Sequence, residues 1–110
     1  MKKLFFILLA ALLFASPAMA GGVTKTITAQ NTYSDSWSVQ GRFNISISGT
    51  WVGTVTVQRS FDNGSTWHDV ATYTANTQTT GNEPSAKVLW RIGIKTGEFT
   101  SGSCVAALQR

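Results

Sequence analysis

From residue 23 to the end of the chain, apolar and polar side chains alternate with a period of two, and no other feature constrains the fold as strongly. Successive side chains of a strand point to opposite faces, so this pattern sends one row into a core and the other toward water. Residues 42–48 put Phe43, Ile45 and Ile47 on one face and Arg42, Asn44, Ser46 and Ser48 on the other. Residues 87–95 set Val88, Trp90, Ile92 and Ile94 against Leu89, Arg91, Gly93 and Lys95. Weaker versions occur at 23–29, with Ile27 inward, and at 36–39, carrying Trp37. Residues 51–59 bring Trp51, Val55 and Val57 together. Residues 67–74 offer Trp67, Ala71 and Tyr73, or alternatively Val70, and residues 103–109 offer Val105 and Ala107. Leucine occurs here only at 89 and 108, and a 3.6-residue period is almost absent.

Strands at a spacing of roughly ten residues predict an all-β domain. The expected architecture is an antiparallel β-sandwich of about seven strands, immunoglobulin-like or jelly-roll-like, or a small barrel. Ser48-Gly49-Thr50 and residues 99–102 read as hairpin connections. The polar stretch 75–85, with the only proline after residue 20, Pro84, reads as a loop crossing between sheets. Loops of this kind commonly carry specificity.

Residues 1–20 follow a different rule. Lys2 and Lys3 precede an apolar run over 4–15, Pro17 breaks it, and Ala18-Met19-Ala20 supplies the small residues of a cleavage site. Twelve helical residues span only about 18 Å, too short for a membrane crossing. The expectation is a cleaved signal-peptide helix over 1–20 and one exported β-sandwich domain over 21–110, periplasmic or extracellular, with no transmembrane span after cleavage. Residues 21–110 hold seven Lys and Arg against five Asp and Glu, a net charge of +2 without any basic run. Nucleic-acid binding, which needs a concentrated basic footprint, is therefore not expected. Cys104 stands alone, so no intramolecular disulfide can form. It reads as a small buried apolar side chain, with a disulfide to a second copy as the alternative.

The sharpest local motif is Ser60-Phe61-Asp62-Asn63-Gly64-Ser65-Thr66-Trp67, which fits S-x-D-x-G-x-T-W at all five fixed positions. Asn63-Gly64 supplies the positive φ of a tight turn, and Asp62 can accept bonds from turn N–H groups. Thr66 can add a side-chain bond, and the Trp67 indole can fold back onto the sheet. The segment resembles the Asp-box hairpin of sialidases and other extracellular β proteins, where it lies away from the catalytic centre. The resemblance implies a structural turn built by Ser60, Asp62, Gly64, Thr66 and Trp67. More widely, residues 48–67, with Trp90-Arg91-Ile92 and Thr100-Ser101-Gly102, look like small β-sandwich proteins of phage and prophage genomes. That likeness covers about residues 41–109 and implies a virion-associated or surface-binding module. The signal-like N-terminus departs from the usual virion protein and fits a bacterial exported protein of the same fold.

Catalysis needs titratable side chains grouped within hydrogen-bond reach. Here there is one His and one Cys, and His68 and Asp69 are strand neighbours that point to opposite faces. No metal-ligand spacing and no nucleophile motif is present, so no enzyme, cofactor or metal is expected. Two functions follow as expectations: a structural or virion-associated module assembling with copies or protein partners, or a glycan- or cell-surface-binding module using exposed aromatics. For the latter, Trp37, set among Ser34, Asp35, Ser36 and Ser38, and Tyr33 are the candidate binding residues.

Overall fold

The computed structural model describes residues 21–110; the expected signal-peptide helix over 1–20 lies outside the described residues. Among those described there is no helix. They form nine strands: β1 (Gly22–Ile27), β2 (Thr32–Tyr33), β3 (Trp37–Ser38), β4 (Gly41–Gly53), β5 (Val55–Ser60), β6 (His68–Tyr73), β7 (Thr77–Glu83), β8 (Leu89–Ile94) and β9 (Phe99–Gln109). Two antiparallel sheets result, consistent with a β-sandwich. The four-stranded sheet has the order β1-β9-β4-β7, and the five-stranded sheet the order β2-β8-β5-β6, with β3 also on β8.

The strongest alternations give the core. Phe43, Ile45 and Ile47 of β4 face Val55 and Val57 of β5 and Trp90, Ile92 and Ile94 of β8, all buried. Phe43 packs edge-on against Trp90 at 4.8 Å between ring centroids and against Trp37 at 5.7 Å. Edge-to-face pairs of this kind add to the area they bury.

Several sequence expectations are corrected. Ser48-Gly49-Thr50 is no turn, because β4 runs straight through it. Gly49 sits at φ 107 opposite Cys104, and a Cβ there would lie 2.4 Å from the Ser103 carbonyl oxygen. The glycine marks a close approach of two backbones, not a reversal. The reversal comes at Thr54, whose N–H donates to Glu98 O at 2.9 Å. Trp51 thus belongs to β4 and the four-stranded sheet, apart from Val55 and Val57. Residues 99–102 likewise are strand, paired with the end of β4.

The polar stretch 75–85 is mostly β7, an edge strand registered on β4 from Gly41↔Glu83 to Ile47↔Thr77. An edge strand needs little apolar surface, which is why its Thr and Gln residues hid it. In β9 the register Ile27↔Cys104, Ile47↔Ala106 and Ile45↔Leu108 turns Cys104, Ala106 and Leu108 inward, so Val105 and Ala107 face outward. Small alanines left the parity of this strand ambiguous. In β6 a bulge pairs Val57 with Ala71 and Gln58 with Asp69. Val70 is the extra residue and is 46% exposed, while Ala71 and Tyr73 face inward.

Candidate functional site

The β5–β6 hairpin is held by its own side chains. Asp62 Oδ1 accepts from the Ser60 hydroxyl and from the Thr66 N–H, both at 2.8 Å. Ser60 Oγ in turn accepts from the Gly64 N–H at 2.9 Å. Asn63 and Gly64 both hold positive φ, at 60° and 92°. The Thr66 N–H first, and then the Ser60 hydroxyl, hold the Asp62 carboxyl down at about 2. A carboxylate so engaged is poorly suited to act as a base or a metal ligand.

This hairpin aims Trp67 across β5 toward β8, where its indole lies against Arg91. On the other side of β8, β2 places Tyr33 opposite Gly93. A Cβ at Gly93 would fall 2.4 Å from Tyr33 Cδ1 and 2.3 Å from the Thr32 carbonyl oxygen. Only glycine lets the Tyr33 ring lie flat on the sheet here. The Arg91 guanidinium carbon stands 3.9 Å from the Tyr33 ring centroid and 4.3 Å from that of Trp67. The two rings reach Arg91 from opposite sides of β8, Tyr33 from β2 and Trp67 from the β5–β6 hairpin, so the guanidinium is held between them. Such contacts contribute about 0.5–1 kcal/mol each at partly exposed sites, enough to favour one rotamer of Arg91.

A polar chain fixes the edge of the same guanidinium. Arg91 Nε donates to Gln58 Oε1 at 2.8 Å, and Gln58 Nε2 donates to Asp69 Oδ1 at 2.9 Å. Lys95 Nζ donates to the other oxygen, Asp69 Oδ2. Hydrogen bonds from Gln58 and then Lys95 lower the Asp69 pKa, and the bond to Asp69 raises that of Lys95. Burial draws the Arg91 pKa below its ordinary value, yet a guanidinium keeps its charge in proteins. The result is a half-buried, stacked, hydrogen-bonded cation on the outer face of the five-stranded sheet.

Of the two expected binding residues, only Tyr33 belongs to this cluster. Trp37 pairs with Trp90 and turns toward the core, where it packs on Phe43. The two residues occupy opposite faces of one sheet, an outcome of strand parity, and form no common patch. Trp51 is half-buried, its Nε1 donating to Asn76 Oδ1 at 2.7 Å. His68 is exposed and leans on Phe61 at 5.8 Å.

Two arrangements went unread in the sequence. In the sequence Arg91 reads only as an outward residue, because its partners come from β2, β5 and the β5–β6 turn. Glu83, placed in a presumed loop, is fully buried and paired with Arg59. The signal in the sequence is an outward-parity arginine next to Trp90, with Trp67 and Tyr33 among the aromatics able to cover it.

The outer face of the four-stranded sheet offers a second surface. Asn44, Ser46, Gln78, Thr79, Thr80 and Gln109 line a shallow depression of about 340 Å³ without a charged group. Gln78 Nε2 donates to Ser46 Oγ at 2.8 Å across it. Among the described residues no three His, Cys, Asp or Glu side chains gather to hold a metal ion, and no helix is long and apolar enough to cross a membrane. No protein-family model matches the chain, and no curated protein and no solved structure shows significant similarity to it.

Proposed function

We propose that this chain is a non-enzymatic, exported β-sandwich module, structural or virion-associated, which assembles with copies or protein partners at a surface. The observation that carries this reading is the depression lined by Asn44, Ser46, Gln78, Thr79, Thr80 and Gln109, whose lining holds no charged residue, although Arg42 lies beside it on β4. Neutral amides and hydroxyls cost far less to dehydrate than charges, and interface centres are depleted of charge. Next to this face, β7 is an edge strand with no further strand beside it among the described residues, and an edge of this kind can pair with another strand. The likeness of residues 41–109 to phage-type β-sandwich proteins supports the same reading. Sedimentation of the processed protein tests it: association is expected, and Ser46→Arg or Thr80→Arg should weaken it. A monomer persisting at high concentration would sink the proposal.

A second reading, ligand binding through a half-buried aromatic cluster, is favoured by one specific observation, the stack of Tyr33, Arg91 and Trp67. It locates binding on the opposite sheet, so the two readings can be tested separately.

A further inference from the structure

We infer that the Tyr33–Arg91–Trp67 stack is a recognition site for a carboxylate borne on a sugar ring, that is, for a uronic-acid glycan. The inference rests on the ligand-binding reading above and names the ligand class for that site.

The Arg91 Nε–H is engaged by Gln58 Oε1, whereas its two Nη groups have no hydrogen-bond partner among the described residues. Tyr33 and Trp67 cover both faces of the guanidinium, so a ligand can approach only along its edge, in its plane. Two parallel N–H groups in one plane match the two oxygens of a carboxylate.

The site is also set before any ligand arrives. Gln58 is buried and donates to Asp69, which leaves its carbonyl oxygen to orient Arg91. Asp69, the nearest acid in this chain of contacts, is held by Gln58 and Lys95 and does not neutralise Arg91. The rotamer cost of ordering an arginine is therefore met in the free protein, which favours affinity.

Charge selects among anions. Lys95 is bound to Asp69, so a single cation remains, suited to a monoanionic, planar carboxylate more than to a phosphate dianion. The neighbouring backbone argues against a peptide. β8 is paired with β5 on one side and with β2 and β3 on the other, so Arg91 lies on an inner strand, and the adjoining edge strand β2 is only two residues long, too short to seat an extended chain. What flanks the cation instead are the rims of two aromatic rings. A ligand whose carboxylate sits directly on a ring can lay that ring between the rims while its oxygens reach the fork.

The test is titration of the purified protein with trigalacturonate, its methyl ester, and a short peptide with a free C-terminus. The Trp67 indole N–H and Arg91 Nε–H resonances report on the site. We expect trigalacturonate to shift both, the ester and the peptide to leave both unmoved, and Arg91→Lys to weaken binding by about tenfold or more, since lysine keeps the charge but loses the planar fork. The resonance is read in the unaltered protein, so a variant that misfolds does not blur the result. Equal binding of the ester would overturn the carboxylate while leaving ligand binding in place. Binding of the peptide in preference would overturn the glycan class. No shift with trigalacturonate, or unchanged affinity in a folded Arg91→Lys protein, would overturn the site itself.

Discussion

Arg59 of β5 and Glu83 of β7 lie in different sheets and meet in a two-pronged ion pair, with Arg59 Nη2 at 2.6 and 2.8 Å from the two carboxylate oxygens and Nε at 3.0 Å from the first. Trp90 Nε1 and the Ser85 N–H also donate to this carboxylate, both at 3.0 Å. Burial is the largest influence on Glu83 and pushes its pKa up. The bonds from Ser85, Arg59 and Trp90 together outweigh it and hold the group below its ordinary value. Glu83→Gln keeps the shape but removes the charge and strands one face of the Arg59 fork. Because the Arg59 side chain keeps 28% exposure, the expected loss is about 2–3 kcal/mol, below that of a wholly buried pair. A urea midpoint in Glu83→Gln within error of the parent would show that the pair contributes little.

Acid should unfold the protein for a related reason. Asp62 titrates at about 2 when folded, against an ordinary 3.8. A lowered folded pKa means that the unfolded chain binds more protons between these values, so the stabilisation is complete above the unfolded pKa and is lost as pH falls through the folded one. Asp69 and Glu83, also lowered, act with the same sign. Thermal midpoints should hold steady down to about pH 5 and drop below about pH 4. Asp62→Asn removes one contributor and should flatten that drop. Midpoints that rose on acidification would contradict the assignment.

Thr56 carries a different liability. It is fully buried on the outer side of β5, opposite Gly93, and its hydroxyl has no hydrogen-bond partner among the described residues. Thr56→Val removes the polar atom at nearly constant volume, and should raise stability by about 1 kcal/mol. Calorimetry of the two proteins decides; a lower transition temperature in the variant would mean that the hydroxyl is bonded after all.

Cys104 is inaccessible in β9, and burial pushes its thiol pKa up, so both access and thiolate fraction disfavour reaction. Thiol reagents should modify it only as fast as the domain opens, with complete labelling in denaturant. A covalent dimer on a non-reducing gel of native protein would restore the intermolecular disulfide as the better reading.

The parts of the fold legible in the sequence were those where large apolar residues alternate cleanly. Phe43, Ile45 and Ile47, and Trp90, Ile92 and Ile94, point where their spacing says. The Trp67 fold-back and the bonds of Asp62 followed from local turn chemistry alone. What failed depended on partners distant in sequence. Gly49 looks like a turn until Ser103 is known to pass 2.4 Å from where its Cβ would be. The strand Thr77–Glu83 looks like a loop until β4 is seen beside it. Tyr33 and Trp37 look like neighbours because the chain between them is short, whereas their pairing with Gly93 and Trp90 sets them on opposite faces. The candidate site was missed for the same reason: Arg91 acquires its meaning only from residues that the topology carries to it.

The single residue Thr54 passes the chain from one layer of the sandwich to the other, and the links β1–β2, β6–β7 and β8–β9 cross between layers at that same end. The layers are hinged there by covalent chain. At the far end the crossings are β3–β4 and β7–β8, and the contact between layers is reinforced by Arg59, Glu83 and Trp90. The two layers are thus tied by four chain crossings at one end, and at the other by two crossings together with the buried Glu83 carboxylate that Arg59 and Trp90 share.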